Sequence, residues 1–322
     1  MMNQISEIQV SVCVVTYNQE KYLAECLEKL VHQQTNFSFE IIIGEDCSTD
    51  RTREVVQQYY EKYPDLIVPI LHQKNVGALE NIRQVYAQAK GKYIAHIDGD
   101  DIALEGKLQK QFDALEAHLD CNICSHDMEN IDQDSNMVKF QRWKYPAGVY
   151  TLFDLYHAMP FFAHSSKMFR NNISKDQWDN LFSDPEILDM DIHFLNLQNG
   201  KIIHINESLG QYRVNVGMSN AGKKVNPLLP QGAIRIFEKG LAFYSNDIEK
   251  TMKLKKLYAD AMLRCAYNYA VYEGNAEKFR SFVKKSLEQK KISITQIGFL
   301  IFALFPSVTF PLLKARAKNR GL

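Results

Sequence analysis

The first hundred residues alternate short apolar runs with stretches in which apolar side chains recur every three or four positions. The apolar runs cover residues 9–15, 39–43, 66–71 and 93–97 and predict four buried strands. The intervening stretches predict three helices, because their apolar positions fall on one helical face. Strands that alternate with helices indicate an α/β fold with a mostly parallel sheet flanked by helices.

Polar segments follow three of these strands, at residues 16–20, 45–50 and 98–101. In parallel sheets, ligands bind beyond the carboxyl ends of the strands, so these segments are expected to converge on one site. Neither GxGxxG nor GxxxxGK[ST] follows any of the strands. A dinucleotide-binding fold and a P-loop nucleotidase are therefore disfavoured.

Three carboxylates crowd the end of the fourth strand, at Asp98, Asp100 and Asp101. An extended backbone would project Asp98 and Asp100 to the same side, where they would repel each other without a cation. Oxygen ligands of this kind suit Mg²⁺ or Mn²⁺. The alternative is a solvated turn in which Asp101 caps a helix that begins near Glu105.

The second half of the chain contains one apolar, aromatic segment and one clear helix. Residues 149–169 could line a cleft or belong to the core. Residues 188–201 predict a helix that opens at Asp189 and closes at Gly200. His193 lies one turn beyond Asp189, so the two side chains share a helical face. Asp189 could act chemically or only cap its helix.

The C-terminal hundred residues have a different pattern. Residues 225–230 predict a connector, and helical spacing follows it. Residues 297–313 are nearly all apolar, with Pro306 and Pro311 expected to break the segment. Seventeen residues are few for a membrane span, so the segment predicts either an anchor in the membrane interface or a helix docked on the protein.

Charge is divided unevenly along the 322 residues, although 38 Lys and Arg balance 38 Asp and Glu. Residues 251–322 hold 14 basic and 4 acidic residues, which leaves 24 basic and 34 acidic residues in positions 1–250. The neutral total argues against nucleic acid as a partner. The basic tail instead favours peripheral contact with an anionic membrane.

The N-terminal residues lack the pattern of a signal peptide, so a cytoplasmic location and reduced cysteines are expected. Cys121 and Cys124 form a single CxxC pair, which alone is weak evidence for zinc. His96, in the apolar fourth strand, is expected to be a buried, hydrogen-bonded histidine rather than a ligand.

Four segments, at residues 10–27, 39–52, 75–83 and 91–101, together resemble glycosyltransferase family 2 in order and spacing. The resemblance extends over roughly residues 9–220 and implies the GT-A fold and inversion at the anomeric carbon. It implies a catalytic domain over 1–224, with a nucleotide-binding half at about 1–101 and an acceptor half at about 102–224. Residues 225–322 would form a helical, basic region.

The resemblance also implies roles for individual residues. Four residues would shape the nucleotide pocket, namely Thr16, Tyr17, Asn18 and Glu20. Asp46 would accept a hydrogen bond from the base, and Asn75, Gly77 and Asn81 would lie near the nucleotide and its pyrophosphate. Asp98 would lie near the ribose and, with Asp100, hold the metal ion. Arg213 would bind the pyrophosphate or pair with an acid, and Asp189 would be the general base, with Asp191 as the alternative.

Together these expectations describe a Mn²⁺- or Mg²⁺-dependent inverting glycosyltransferase. It would use a nucleoside-diphosphate sugar, with UDP favoured, and a glycan or lipid-linked acceptor in cell-surface polysaccharide synthesis at the inner face of the membrane. Two departures favour an alternative, a non-catalytic nucleotide-sugar-binding or scaffold protein. Leu188 stands where many members carry Glu, and Asn215 stands where a histidine often follows, which leaves the third metal ligand open.

Overall fold

The computed structural model describes residues 7–139, 141, 143–214, 216, 225–289 and 293–319. The chain divides into two compact units, residues 1–219 and 220–322. Within the described residues, the first unit contains a β-sheet with flanking helices, and the second contains helices only.

One mixed sheet of nine strands organises the described part of the first unit. Its strands are β1 (Ile8–Thr16), β2 (Ser38–Glu45), β3 (Ile67–Leu71), β4 (Tyr93–Asp98), β5 (Ile102–Ala103), β6 (Cys121–Ile131), β7 (Gly148–Tyr150), β8 (Met168–Arg170) and β9 (Lys201–Arg213). The order is β3-β2-β1-β4-β8-β6-β9-β5, with β7 also paired to β9. Strands β3, β2, β1 and β4 are parallel, as the sequence predicts, and β8 runs antiparallel to both of its neighbours.

Seven helices accompany this sheet: α1 (Leu23–Val31), α2 (Thr52–Lys62), α3 (Ala78–Gln88), α4 (Lys107–Ala117), α5 (Leu152–Ala158), α6 (Lys175–Phe182) and α7 (Asp189–Leu197). The four predicted strands, the three predicted helices between them and the helix at Asp189 are all confirmed. Their periodicity succeeds because one face of each element is buried, as in α1, where Leu23, Leu27 and Leu30 are fully enclosed.

Helix α3 packs closely on β2, next to the polar loops that follow the strands. A Cβ at Gly44 would lie 2.0 Å from Asn81 Oδ1 and 2.5 Å from Val85 Cγ2, so glycine is needed there. Each aliphatic side chain buried in this core stabilises the fold by about 1.5–3 kcal/mol. The register places Thr16 beside Glu45 and Val15 beside Asp98, so the carboxyl ends of β1, β2 and β4 lie side by side.

The second unit comprises α8 (Leu228–Phe243), α9 (Ile248–Asn268), α10 (Ala276–Leu287), α11 (Ile294–Leu304) and α12 (Pro306–Asn319), with a π-helical turn at Tyr269–Glu273. Stacked aromatic rings join its helices, as where the Phe237 and Tyr258 centroids lie 4.9 Å apart. Among the helices that the structure describes, none combines the length and the apolar character that crossing a membrane requires.

Two sequence expectations about the second unit are wrong in detail. The connector predicted over 225–230 is shorter, because α8 begins at Leu228. Pro306 does separate α11 from α12, taking the first helical position, where its missing N–H is not required. Pro311, in contrast, lies inside α12 without ending it. Its ring is on the exposed side of the helix, and one lost hydrogen bond does not offset the packing of the inner face.

Candidate active site

The loops after β1 and β2 are hydrogen-bonded into one platform. Asn18, at φ +52°, donates its N–H to Ser48 Oγ (3.0 Å) and accepts the Thr49 N–H on Oδ1 (2.8 Å). Glu20 accepts the Arg51 N–H on Oε2 at 2.9 Å. Both predicted pocket residues therefore shape the loops through their side chains.

Thr16 and Tyr17, the other two residues predicted to shape the nucleotide pocket, differ sharply in exposure. Thr16 is buried and donates its hydroxyl to Gln19 Oε1 at 2.8 Å. Tyr17 is 44% exposed, which makes it the ring in this loop best placed to contact a nucleotide. Tyr17 therefore does not pack beneath the turn.

Asp46 holds the loop that follows β3. Its carboxylate accepts the Val76 N–H on Oδ1 (2.6 Å) and the Gly77 N–H on Oδ2 (3.0 Å), while Asn75 Nδ2 donates to the Asp46 carbonyl (3.1 Å). Gly77, at φ +87°, has a backbone conformation that side chains disfavour. Asp46 is 2% exposed and its carboxylate serves the protein's own N–H groups, so acceptance of a hydrogen bond from a base stays a prediction.

Asn81 supports this loop from below. It is 2% exposed, donates from Nδ2 to the Gly44 carbonyl (2.8 Å) and contacts His72 Nε2 through Oδ1 (3.1 Å). Asn81 therefore does not face solvent. Both polar atoms of its side-chain amide have partners within the protein, next to the loop after β3 that Asp46 holds.

The acidic cluster lies in a tight turn, not in the extended segment that the sequence predicts. Strand β4 ends at Asp98, whose carbonyl accepts the Asp101 N–H at 3.0 Å. Burial and the neighbouring Asp98 charge raise the pKa of Asp100 to about 7. The two carboxylates therefore repel each other even though the backbone turns between them. Gly99 packs closely here, since a Cβ would lie 2.6 Å from Gln19 Oε1 and 3.0 Å from Thr16 Cβ, and a larger residue would displace the Gln19 side chain.

His96 orients Asp98. Its ring is fully buried, with Nδ1 accepting the Tyr86 hydroxyl (3.0 Å) and Nε2 within 3.2 Å of Asp98 Oδ1. Burial lowers the pKa of His96, so the ring is neutral and Nε2 carries the proton. Burial also opposes ionisation of Asp98, but hydrogen bonds from His96 and Ser165 outweigh it and hold the pKa of Asp98 below its ordinary value. The expectation of a buried, satisfied histidine is confirmed.

Asp101 ties the acidic turn to β9. It is 1% exposed and accepts the Arg213 N–H on Oδ1 at 2.9 Å. Helix α4 begins at Lys107, preceded by Gly106 in the left-handed region. The alternative that Asp101 caps this helix is therefore wrong.

Arg213 is a structural cation in this arrangement. It is 2% exposed, donates to the Asp100 carbonyl and to Glu25 Oε2 (2.9 Å each), and lies 4.6 Å over the Tyr22 ring. Of the two roles that the resemblance implies, the geometry supports pairing with an acid. The guanidinium is enclosed by these partners, so binding of a pyrophosphate is not supported.

Asp189 opens α7 with its side chain 55% exposed. Desolvation by neighbouring protein groups and the Asp98 charge raise its pKa. Asp191, the alternative base, is 1% exposed and accepts the Leu188 N–H on Oδ2 at 3.0 Å. It therefore caps its own helix, and Asp189 is the better placed of the two for proton transfer.

A short segment not singled out for the site connects the two acids; we call residues 164–167 the bridging turn. Ser165 Oγ donates to Asp98 Oδ2 at 3.3 Å, while His164 Nδ1 lies 3.9 Å from Asp189 Oδ2. Lys167 Nζ donates to His164 Nδ1 at 3.3 Å. Burial lowers the pKa of Lys167 to about 7, although Asp189 and Asp98 oppose the shift. The only sequence signal was the polar HSS triplet within an apolar stretch.

His193 is not the partner of Asp189. It is fully buried between Phe162 and His164, with ring centroids 4.8 and 5.5 Å away. Among the described residues, neither of its ring nitrogens has a hydrogen-bond partner. The histidine that approaches Asp189 is His164.

The chemistry of the cluster fits a divalent ion that takes only part of its coordination from protein. Across the described ranges, no three His, Cys, Asp or Glu side chains are grouped to hold a metal. Asp98 and Asp100 are nevertheless adjacent hard-oxygen donors that repel each other, and Mg²⁺ commonly uses one or two carboxylates plus phosphate oxygens and water. Asn215, which bears on a third ligand, lies outside the described residues. Cys121 and Cys124 both lie in β6 as free thiols.

Comparison with known proteins identifies the relatives of this chain. The family model described as glycosyl transferase family 2 matches residues 11–178. An uncharacterised Mycobacterium tuberculosis protein is 31% identical over 208 residues, covering 63% of this chain and 58% of that protein. Bacillus subtilis TuaG, named as a teichuronic acid biosynthesis glycosyltransferase, is 36% identical over 106 residues, covering 33% of this chain and 41% of TuaG. The chain thus spans about half the length of these relatives.

A solved structure matches nearly the whole chain. S. aureus TarS in complex with UDP-GlcNAc superimposes with a TM-score of 0.64 at 17% identity, covering 98% of this chain and 92% of the other. At that identity the likeness establishes the fold alone. The predicted α/β fold of the GT-A type, with helices at the C-terminus, is confirmed.

Proposed function

The chain belongs to glycosyl transferase family 2, and on this basis we propose that it is a metal-dependent inverting glycosyltransferase. The observation that carries the proposal is the bridging turn, which contacts Asp98 through Ser165 and approaches Asp189 through His164. The turn thereby links a pair of carboxylates suited to a cation with a carboxylate suited to proton removal.

In the proposed reaction, Asp189 takes the proton of the acceptor hydroxyl as its oxygen bonds to the anomeric carbon. The bond from that carbon to the diphosphate oxygen breaks, and its electron pair leaves with the nucleoside diphosphate. Attack from the face opposite the leaving group inverts the anomeric configuration. The raised pKa of Asp189 makes it a stronger base than an ordinary aspartate, as general-base catalysis requires.

Asp98 and Asp100 would hold Mn²⁺ or Mg²⁺, which neutralises charge on the departing diphosphate when bound. The chain's own contribution is to hold these carboxylates in place. His96 and Ser165 orient Asp98, and Arg213 fixes the backbone of Asp100. Tyr17 and the loop closed by Asp46 would form the nucleotide pocket.

The donor is proposed to be a UDP-sugar, supported by the UDP-GlcNAc bound in TarS. The acceptor is proposed to be a glycan or lipid-linked glycan of cell-surface polysaccharide, supported by the name of TuaG. Residues 1–101 would bind the nucleotide, residues 102–224 would bind the acceptor, and residues 225–322 would contact an anionic membrane from the cytoplasmic side.

A thermal-shift panel of UDP, TDP and GDP, each with and without Mn²⁺, tests the donor site. We expect a Mn²⁺-dependent stabilisation with UDP that is lost in Asp100→Asn. Release of UDP from UDP-sugars in the presence of acceptor then separates an enzyme from a non-catalytic binder. No stabilisation by any nucleotide would overturn the proposal, and binding without turnover of any UDP-sugar and acceptor would favour the scaffold alternative.

A further inference from the structure

Helices α11 and α12 present a continuous stripe of exposed apolar side chains. We call it the outer face; its members are between 41% and 91% exposed and comprise Ile294, Ile297, Leu300, Ile301, Leu304, Phe305, Val308 and Leu312. Positions 294, 297, 301 and 304 recur every three or four residues along one side of α11, and Val308 and Leu312 lie four residues apart on α12, so each helix has an exposed apolar side. Isolated exposed apolar residues are common, but eight in nineteen positions form a patch that needs explanation.

The opposite side of the same helices is also apolar and is already covered. The Phe279 ring of α10 lies 5.7 Å from Phe299 and 5.1 Å from Phe310, and Leu313 is buried. Helix α11 is therefore apolar around most of its circumference. Helices of that kind are found in the core of a large protein or in contact with lipid. Packing within the second unit buries one side of α11 and α12 and leaves the outer face exposed.

The charged residues that follow the outer face along the chain are basic. From residue 289 onward the sequence has no Asp or Glu, and its basic residues are Lys290, Lys291, Lys314, Arg316, Lys318 and Arg320. Lys314 and Arg316 are exposed on α12, directly after the apolar stripe. A groove beside them is lined by apolar residues such as Pro306, Phe310 and Pro311, together with Lys314. An apolar stripe bordered by cations complements a surface that has acyl chains below anionic headgroups.

We propose that the outer face docks in the plane of an anionic membrane interface. Helix lengths favour this orientation, because α11 has 11 residues and α12 has 14, whereas a span needs about 20. The inference rests on the membrane contact in the proposed function and assigns it to named side chains. It commits to lipid as the occupant, since Lys314 and Arg316, the exposed cations that follow the apolar side chains, complement anionic headgroups and would repel their counterparts in a second copy of the same surface.

The test is co-sedimentation of the full chain with phosphatidylcholine vesicles, with and without phosphatidylglycerol. We expect binding to the anionic vesicles that falls as salt rises. The double variant Leu304→Glu, Val308→Glu should weaken this binding by roughly tenfold or more. Replacing Lys314 by Gln should weaken it by about fivefold.

The matched control is Ile248→Glu, Met252→Glu, which alters two apolar residues of α9 that are 75% and 61% exposed. The control should bind vesicles like the unaltered chain. Equal binding by all variants, or equal binding to neutral vesicles, would overturn the inference. A dimer that dissociates only in the Leu304→Glu, Val308→Glu variant, with vesicle binding unchanged, would show that a second copy covers the face. Mn²⁺-dependent UDP binding should be intact throughout, so loss of docking and loss of the donor site are distinguishable.

Discussion

The acidic turn of the first unit and the outer face of the second both hold side chains in unfavourable environments. In the turn, carboxylates repel each other, and on the outer face, apolar side chains are exposed to solvent. At the acidic turn, the protein supplies part of the compensation through His96, Ser165 and Arg213, yet the pKa of Asp100 stays raised. On the outer face, side chains such as Leu304 remain in solvent. Carboxylates whose charge the protein compensates only in part suit a small cation. Apolar side chains that the protein leaves uncovered suit an extended apolar surface such as a membrane.

The largest effect that tests this comparison is expected from Asp189→Asn. Removing the general base should lower kcat by about a thousandfold and leave UDP affinity unchanged. Steady-state kinetics and calorimetry measure the two quantities separately. Glu186→Gln, an exposed acid three residues earlier, is the control and should leave kcat unchanged. Full activity in Asp189→Asn would remove Asp189 from the reaction.

The next effect is expected from Asp100→Asn. Loss of one carboxylate ligand should weaken Mn²⁺ binding by at least about a hundredfold, measured by isothermal titration. The control is Asp113→Asn on the exposed side of α4. Unchanged Mn²⁺ affinity in Asp100→Asn would place the metal elsewhere and would leave the raised pKa of this carboxyl without a function.

A smaller effect is expected from Lys167→Met in the bridging turn. The buried ammonium lowers the pKa of Asp189, so its removal should raise that pKa further. The acid limb of the kcat profile should then move to higher pH, so that kcat falls most on the acid side, with the KM for donor unchanged. A loss of activity with no movement of the limb would show that Lys167 only stabilises the fold.

The smallest effect is the pH dependence of metal binding. Asp100 has a pKa of about 7 without metal, and a ligand carboxyl must lose its proton to bind. Mn²⁺ affinity should therefore be nearly constant above pH 8 and fall by about tenfold for each pH unit below 7. Titrations at pH 5.5, 6.5 and 8 that give one affinity would contradict the assignment.

Much of the fold could be predicted, because burial on one face imposes local periodicity on β1, α1 and α7. The positions of Asp98, Asp100 and Asp189 at the ends of such elements followed from the same signal. The contacts of the bridging turn could not be predicted, since Ser165 reaches Asp98 across 67 positions and leaves no local pattern.

Single side chains were also assigned differently by the structure. The sequence allowed Arg213 either to bind the pyrophosphate or to pair with an acid. Its burial against Glu25 depends on where β9 ends relative to α1. Asp98 and Asp100 were expected on one side of an extended segment, whereas a hydrogen-bonded turn places them. Loop conformations of this kind are set by tertiary hydrogen bonds, which hydrophobic spacing does not record.

In the proposed mechanism, Asp189 acts on the face of the donor sugar opposite the diphosphate. Proton NMR of the first product formed from an α-linked UDP-sugar and a synthetic glycan acceptor tests this role. We expect a β-linked product, identified by its anomeric coupling constant. An α-linked product would show retention of configuration and would contradict the role given to Asp189.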